Sequence, residues 1–204
     1  MNLEDINNKI PQIYLKRKIL HLLLGILGLF LLVYNLISEL QIFIILAVGV
    51  LISLLSIKFR IPGISFFLDN FEEKQPGQLP ARAVIFGVAG SLLTLQLFPR
   101  DIAIASVSIL VFADPISHLV GRILGKTQHF LDNKKNIEGH IAGALVSSLV
   151  AMFFVSPLLA FAGSLAAMLF ESMIIEIQKI KLDDNLIIPL AAGTTMFLLV
   201  RFLL

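Results

Sequence analysis

The chain has no cysteine, so it can hold neither a disulfide nor a thiolate-bound metal. Charge is also scarce: Asp, Glu, Lys and Arg make up 15% of the residues, against 57% hydrophobic ones. With a mean hydropathy of +0.93, that balance excludes a soluble globular domain. Internal repeats and low-complexity tracts are absent. The first sixteen residues are polar and mixed in charge, which argues against a secretory signal. The net charge of +2 is uninformative as a total; its distribution is informative.

What the chain has in quantity is long apolar runs. Seven can be counted, at 17–37, 41–57, 81–98, 101–121, 140–156, 158–177 and 185–203. Runs of about 17–25 residues span a bilayer as helices, which satisfy their own backbone hydrogen bonds where lipid cannot. The expected fold is therefore all-α: a polytopic membrane protein of about seven transmembrane helices, with 1–204 as a single domain. Placing the N-terminus in the cytoplasm puts fourteen Lys and Arg residues on that side and only Arg100 and Arg201 opposite. That is a strong positive-inside bias. The longest connection, 58–80, contains Ile64-Ser-Phe-Phe-Leu-Asp-Asn-Phe71, a candidate interfacial amphipathic helix. It is either a plain tether or a gate for a lipid entering sideways.

The polar islands all fall at the cytoplasmic ends of these runs. Asp114 interrupts an apolar segment, and His118 follows on the same helical face. A carboxylate within a span turns to a cavity or a partner. It is either a metal ligand or half of a buried ion pair with a lysine or arginine. Gly121-Arg122-Ile-Leu-Gly125-Lys126-Thr127 falls short of a Walker loop, having three residues between its glycines and no strand before it. A glycine-punctuated helix end remains, with Gly125 as the natural stop. Lys134, Lys135 and Glu138 precede a helix opening at Gly139, where unpaired N–H groups favour anions. The spacing of Gly139, Gly143 and Ser147 makes a small-residue face for close helix packing. Glu171 lies inside the sixth run and Glu176 nearer its end. Asp183-Asp184-Asn185 follows, with Pro189 expected in the first turn of the last helix. One of these three residues suits an N-cap. The others suit a metal or a general base. Arg17 and His21 share a face at the start of the first run.

Taken in order, four of these segments resemble the CTP-dependent lipid-alcohol kinase family, which includes dolichol kinase, phytol kinase and CTP-dependent diacylglycerol kinase. They are Arg17-Lys18-Ile-Leu-His21; Asp114 through Leu119-Val-Gly121-Arg-x-x-Gly125-Lys126; Lys134-Lys135-x-x-Glu138-Gly139; and Glu171 with Asp183-Asp184-Asn185-Leu-x-x-Pro189-Leu. The chain departs from the pattern at Ala113, where many members have Gly or Ser, and at Pro115, His118 and Asn136. Its length is similar to compact microbial forms.

The resemblance implies transfer of the γ-phosphate of a nucleoside triphosphate, CTP favoured, to the hydroxyl of a lipid alcohol. A divalent cation such as Mg²⁺ is implied with it. On that pattern, Asp114, with Glu138 or Asp184, is expected to hold the metal. Arg17, His21, Gly121, Arg122, Gly125, Lys126, Lys134, Lys135, Gly139 and Asn185 are expected to serve the nucleotide. Glu171 or Asp183 is expected to act as base, with Asp184 as a further catalytic carboxylate. The site would face the cytoplasm from an integral membrane protein, the cell membrane in a prokaryote, with membrane lipids around it and no nucleic-acid partner. Two alternatives stand beside this: a cytidylyltransferase making a CDP-lipid, and a small proton- or ion-coupled transporter. The usual carboxyl-terminal signature of the first, with Asp-Arg and Lys-Asp pairs, is missing from this chain. The second would want polar gates at both ends.

Overall fold

The computed structural model describes residues 12–72, 78–129, 131, 135–173, 176–177 and 180–203, with side chains undescribed at 176–177 and 180–181. The described residues are helical apart from the connections and one short hairpin. The helices are α1 (Gln12–Val33), α2 (Glu39–Lys58), α3 (Ile64–Phe71), α4 (Arg82–Leu97), α5 (Arg100–Leu124), α6 (Ile137–Ala151), α7 (Pro157–Ser172) and α8 (Asp184–Phe202). Each of the seven apolar runs thus carries one helix, and α3 occupies the amphipathic segment of the 58–80 connection. Three helices, α2, α5 and α8, are long and apolar enough to cross a membrane; α4, α6 and α7 are apolar but shorter. The protein is compatible with a membrane setting, and its exposed surface agrees: on α2, Phe43, Ile44, Leu51, Leu54 and Ile57 all face outward. A contiguous apolar surface of that kind has no favourable place in water.

Local chemistry sets the ends of these helices. The segment Ser38-Glu-Leu-Gln41 is a capping box: Ser38 Oγ accepts from the Gln41 N–H at 3.3 Å, and the Ser38 N–H donates to Gln41 Oε1 at 2.8 Å. Gly63, with φ of 85°, takes the left-handed turn that leads into α3. The sixth run is shorter as a helix than its hydropathy suggests, because α7 ends at Ser172. Glu176 therefore lies in a strand, Glu176–Ile177, paired antiparallel with Ile180–Lys181. Pro189 is not in the first turn of α8 but inside the helix. Its missing N–H leaves the Asn185 carbonyl without its helical donor. Gly90 of α4 packs there: a Cβ on it would stand 2.7 Å from the Asn185 oxygen.

α5 is the axis of the molecule. One apolar cluster joins it to α6, α7 and α8 through Ile102, Ile109, Ala144, Ala160, Ile188 and Met196. A second joins it to α1, α2 and α4 through Leu29, Ile42, Leu92, Ile104, Val107 and Val111. The small face of α6 lies directly on α5, with Gly139 against the Ser117 carbonyl and Gly121, and Gly143 against the Ala113 carbonyl. Hydroxyls buried between these helices are satisfied locally. Ser106 donates to the Ile102 carbonyl at 2.7 Å, and Ser147 to Ser164 Oγ at 3.1 Å.

Candidate functional site

The polar residues of five helices meet at one end of the bundle. Lys18 stands in the second turn of α1, Asp114 and His118 in the later half of α5, and His140 in the first turn of α6. Glu171 is in the last turn of α7, and Asp184 opens α8. Alternation of helix direction brings these ends together. At the far end Arg100 donates to the Leu32 carbonyl at 2.6 Å, tying α5 to α1.

Asp114 and Glu171 are the two centres of the cluster, 5% and 2% exposed respectively. Lys18 Nζ lies 2.7 Å from Asp114 Oδ2, with His21 Nδ1 at 3.8 Å from the same oxygen. The buried ion pair, one of the two readings open from the sequence, is therefore present, with Lys18 rather than its neighbour Arg17. His118 Nε2 bridges the centres, 3.4 Å from Asp114 Oδ1 and 3.5 Å from Glu171 Oε1. Lys135 Nζ then binds Glu171 Oε1 at 2.8 Å, the Glu171 carbonyl at 2.6 Å and Asp184 Oδ2 at 3.3 Å. Burial alone would lower the Lys135 pKa, but the Glu171 and Asp184 carboxylates outweigh it and hold the ammonium above its usual range. The contribution of that ion pair is present at neutral pH and is lost only as pH rises through this elevated value. His140 Nε2 stands 3.5 Å from Glu171 Oε2, and its ring stacks on His129 with centroids 4.6 Å apart.

A second polar pair guards the start of α8. Asp183 is its N-cap: Oδ1 accepts from the Asn185 N–H at 3.1 Å and from Asn185 Nδ2 at 2.8 Å. Its other oxygen accepts from Arg82 Nε of α4 at 3.0 Å. With both oxygens engaged, Asp183 is a helix cap rather than a free base. Asp183→Ala is expected to lower stability by about 1 kcal/mol and Asp183→Asn by less, because Asn also caps well. Thermal unfolding in detergent measures both.

One cavity of about 930 Å³ is lined by the cluster around Asp114 and Glu171 and by Arg82 and Asp183. Of the residues singled out in the sequence, Arg17, His21, Asp114, Gly121, Arg122, Lys135, Glu171, Asp183, Asp184 and Asn185 line it. Arg122 lies 3.8 Å over the Tyr14 ring. Away from the charges the walls turn apolar, with Leu24, Leu31 and Ile45 from α1 and α2, Phe67 and Phe71 from α3, and Val84 and Val88 from α4.

Four expected residues stand elsewhere. Glu138 does not join Asp114 and Asp184: its Oε1 accepts from the backbone N–H groups of Lys126 and Thr127 at 3.1 and 3.0 Å, closing the turn after α5. Lys126 is exposed on that turn. Gly125 has a φ of −61°, so it needs no left-handed freedom. Its lack of a Cβ lets Asn136 close on it, and Asn136 Nδ2 donates to the Gly121 carbonyl at 2.8 Å. Gly139 is a packing residue of α6. Lys134 lies outside the described residues. Conversely, Lys18, Arg82 and His140 belong to the site without having been assigned to it. A histidine in the first turn of an apolar run is itself a signal, since ionisable groups in such runs are costly and tend to be used.

Three of these side chains could hold a metal ion. Asp114, His118 and Glu171 offer ligand atoms that all lie within 4.8 Å of one another. No protein-family model matches the chain, and no curated protein or solved structure matches it either.

Proposed function

We propose that the protein is an integral membrane kinase that transfers the γ-phosphate of a nucleoside triphosphate, CTP favoured, to the hydroxyl of a lipid alcohol. The observation that carries this reading is the continuity of the cavity, charged at one end and apolar at the other. An amphiphile with a hydroxyl head and a hydrocarbon tail is the substrate shape such a chamber suits. The seven long helices span the bilayer, with the N-terminus and the charged end of the cavity in the cytoplasm. The one-sided placement of Lys and Arg supports this. It also argues against a transporter, since the ionisable cluster occupies one end of the bundle only.

In this reading Asp114 and Glu171 hold the divalent cation, which when bound neutralises phosphate charge. Lys135, Lys18 and Arg122 supply fixed positive charge for the phosphates. Phosphoryl transfer is mostly positioning and charge stabilisation. The lipid oxygen forms the new bond to phosphorus as the bond to the β-phosphate oxygen breaks, and the hydroxyl proton passes to a carboxylate. Asp184 suits that last role, because its side chain is 23% exposed at the cavity while Glu171 is sealed in the cluster.

The deciding experiment uses purified protein in detergent with γ-labelled CTP or ATP. It is offered phytol, geranylgeraniol, a polyprenol and diacylglycerol in turn. A labelled lipid phosphate with one nucleoside diphosphate released per transfer is expected. Release of pyrophosphate would replace the reading with CDP-lipid synthesis, and no nucleotide turnover with any alcohol would remove it.

A further inference from the structure

We propose that His118 is a metal ligand alongside Asp114 and Glu171, and that this imidazole makes the site selective for a first-row transition-metal dication over Mg²⁺. The separations are suitable. Ligand atoms around such an ion, each at about 2.1 Å, stand about 3.0–3.5 Å apart. His118 Nε2 already lies 3.4 Å from Asp114 Oδ1 and 3.5 Å from Glu171 Oε1, and the remaining pair need only close from within 4.8 Å.

Each carboxylate keeps one oxygen that no lysine touches. Lys18 takes Asp114 Oδ2, leaving Oδ1 toward His118. Lys135 and His118 both face Glu171 Oε1, and Glu171 Oε2, which stands 3.5 Å from His140 Nε2, has no hydrogen-bond partner although the residue is 2% exposed. A buried carboxylate oxygen left in that state is costly, and a cation relieves the cost. Mg²⁺ prefers oxygen donors in near-ideal octahedra, whereas imidazole suits the later first-row metals and is tolerated by Mn²⁺. Sequence pattern alone pairs Asp114 with other carboxylates; the fold pairs it with a nitrogen.

The inference concerns the cation of the same site as the phosphotransfer reading, but its test uses no turnover. Protein stripped with chelator and held in detergent is titrated with MnCl₂, with free Mn²⁺ followed by electron paramagnetic resonance. One Mn²⁺ per chain is expected, displaced by Mg²⁺ only at large excess. His118→Ala should bind it at least about tenfold more weakly. His118→Asn, closer in size, keeps the test valid should the alanine variant fail to fold, and circular dichroism checks both. Absence of stoichiometric Mn²⁺ binding overturns the proposal. So does equal competition by Mg²⁺, or a folded His118 variant that binds Mn²⁺ as tightly as the parent. Tight Mn²⁺ binding without any phosphate transfer would instead leave the metal site standing and remove the kinase reading.

Discussion

Asp114→Asn is expected to reduce phosphate transfer by about a hundred- to a thousandfold, the loss typical when one preorganised charge-stabilising group is removed. The expectation rests on the position of Asp114 rather than on its charge alone. The carboxylate is buried, receives the Lys18 ammonium at 2.7 Å and faces His118 on its other oxygen. The substitution also has a structural cost. Breaking a buried ion pair by removing one partner costs about 3–5 kcal/mol, because the surviving charge loses its compensation. The amide can still accept from Lys18, so the lower end of that range is expected.

The two effects separate in a double variant. Lys18→Met with Asp114→Asn removes both charges, and thermal unfolding in detergent should return much of the way to the parent value. Transfer of labelled phosphate should not return. A folded Asp114→Asn protein with undiminished transfer would remove the centre of the proposed mechanism. Recovery of activity in the double variant would mean that the pair serves only to hold α1 against α5.

How far this arrangement could be read from the sequence depends on the range of the forces involved. Hydropathy found a helix in each of the seven runs and the amphipathic α3, because burial and backbone pairing act on continuous stretches, although only α2, α5 and α8 are long and apolar enough to cross a membrane. Gathering of the charged islands at one end of the bundle follows from alternating helix direction. What the sequence left undecided were choices among equal charges. Arg17 and Lys18 are neighbours, and only the packing of α1 on α5 turns Lys18 to Asp114. Asp183 and Asp184 were likewise indistinguishable until Arg82, a hundred and one residues earlier, fixed Asp183 as a cap. Glu138 read as a site acid beside its lysines, but backbone N–H groups eleven and twelve residues earlier in the chain claim it. Pro189 misled because its cost inside a helix is set by what meets the freed carbonyl, and Gly90 from α4 was out of sight.

Gly139→Ala is the second substitution with a large expected effect, and it acts without touching a charge. A Cβ at this position would stand 2.9 Å from the Gly121 Cα and 3.0 Å from its nitrogen, with the Ser117 carbonyl closer still. All three are backbone atoms of α5, so no rotamer change relieves the clash. Overpacking of this sort costs about 1–3 kcal/mol, and unyielding backbone puts this case at or beyond the upper end. Gly49→Ala in α2 is the control: its Cβ would meet nothing within 4 Å, and alanine gains up to about 1 kcal/mol in helix propensity. Opposite shifts in detergent unfolding temperature are therefore expected from the same chemical change.

The site should suffer along with the fold. Displacing α6 from α5 strains the Asn136 bond to the Gly121 carbonyl, and with it the position of Lys135 beside Glu171 and Asp184. His140, also on α6, is carried away from Glu171 Oε2. A displacement near 1 Å at a reacting centre can cost about a hundredfold in rate. Whatever Gly139→Ala protein folds should thus be slow as well as fragile, while Gly49→Ala keeps its rate. Parent-like stability for Gly139→Ala would mean that α5 and α6 do not pack through this face, and the grouping of His118, Lys135 and His140 around Glu171 would fall with it.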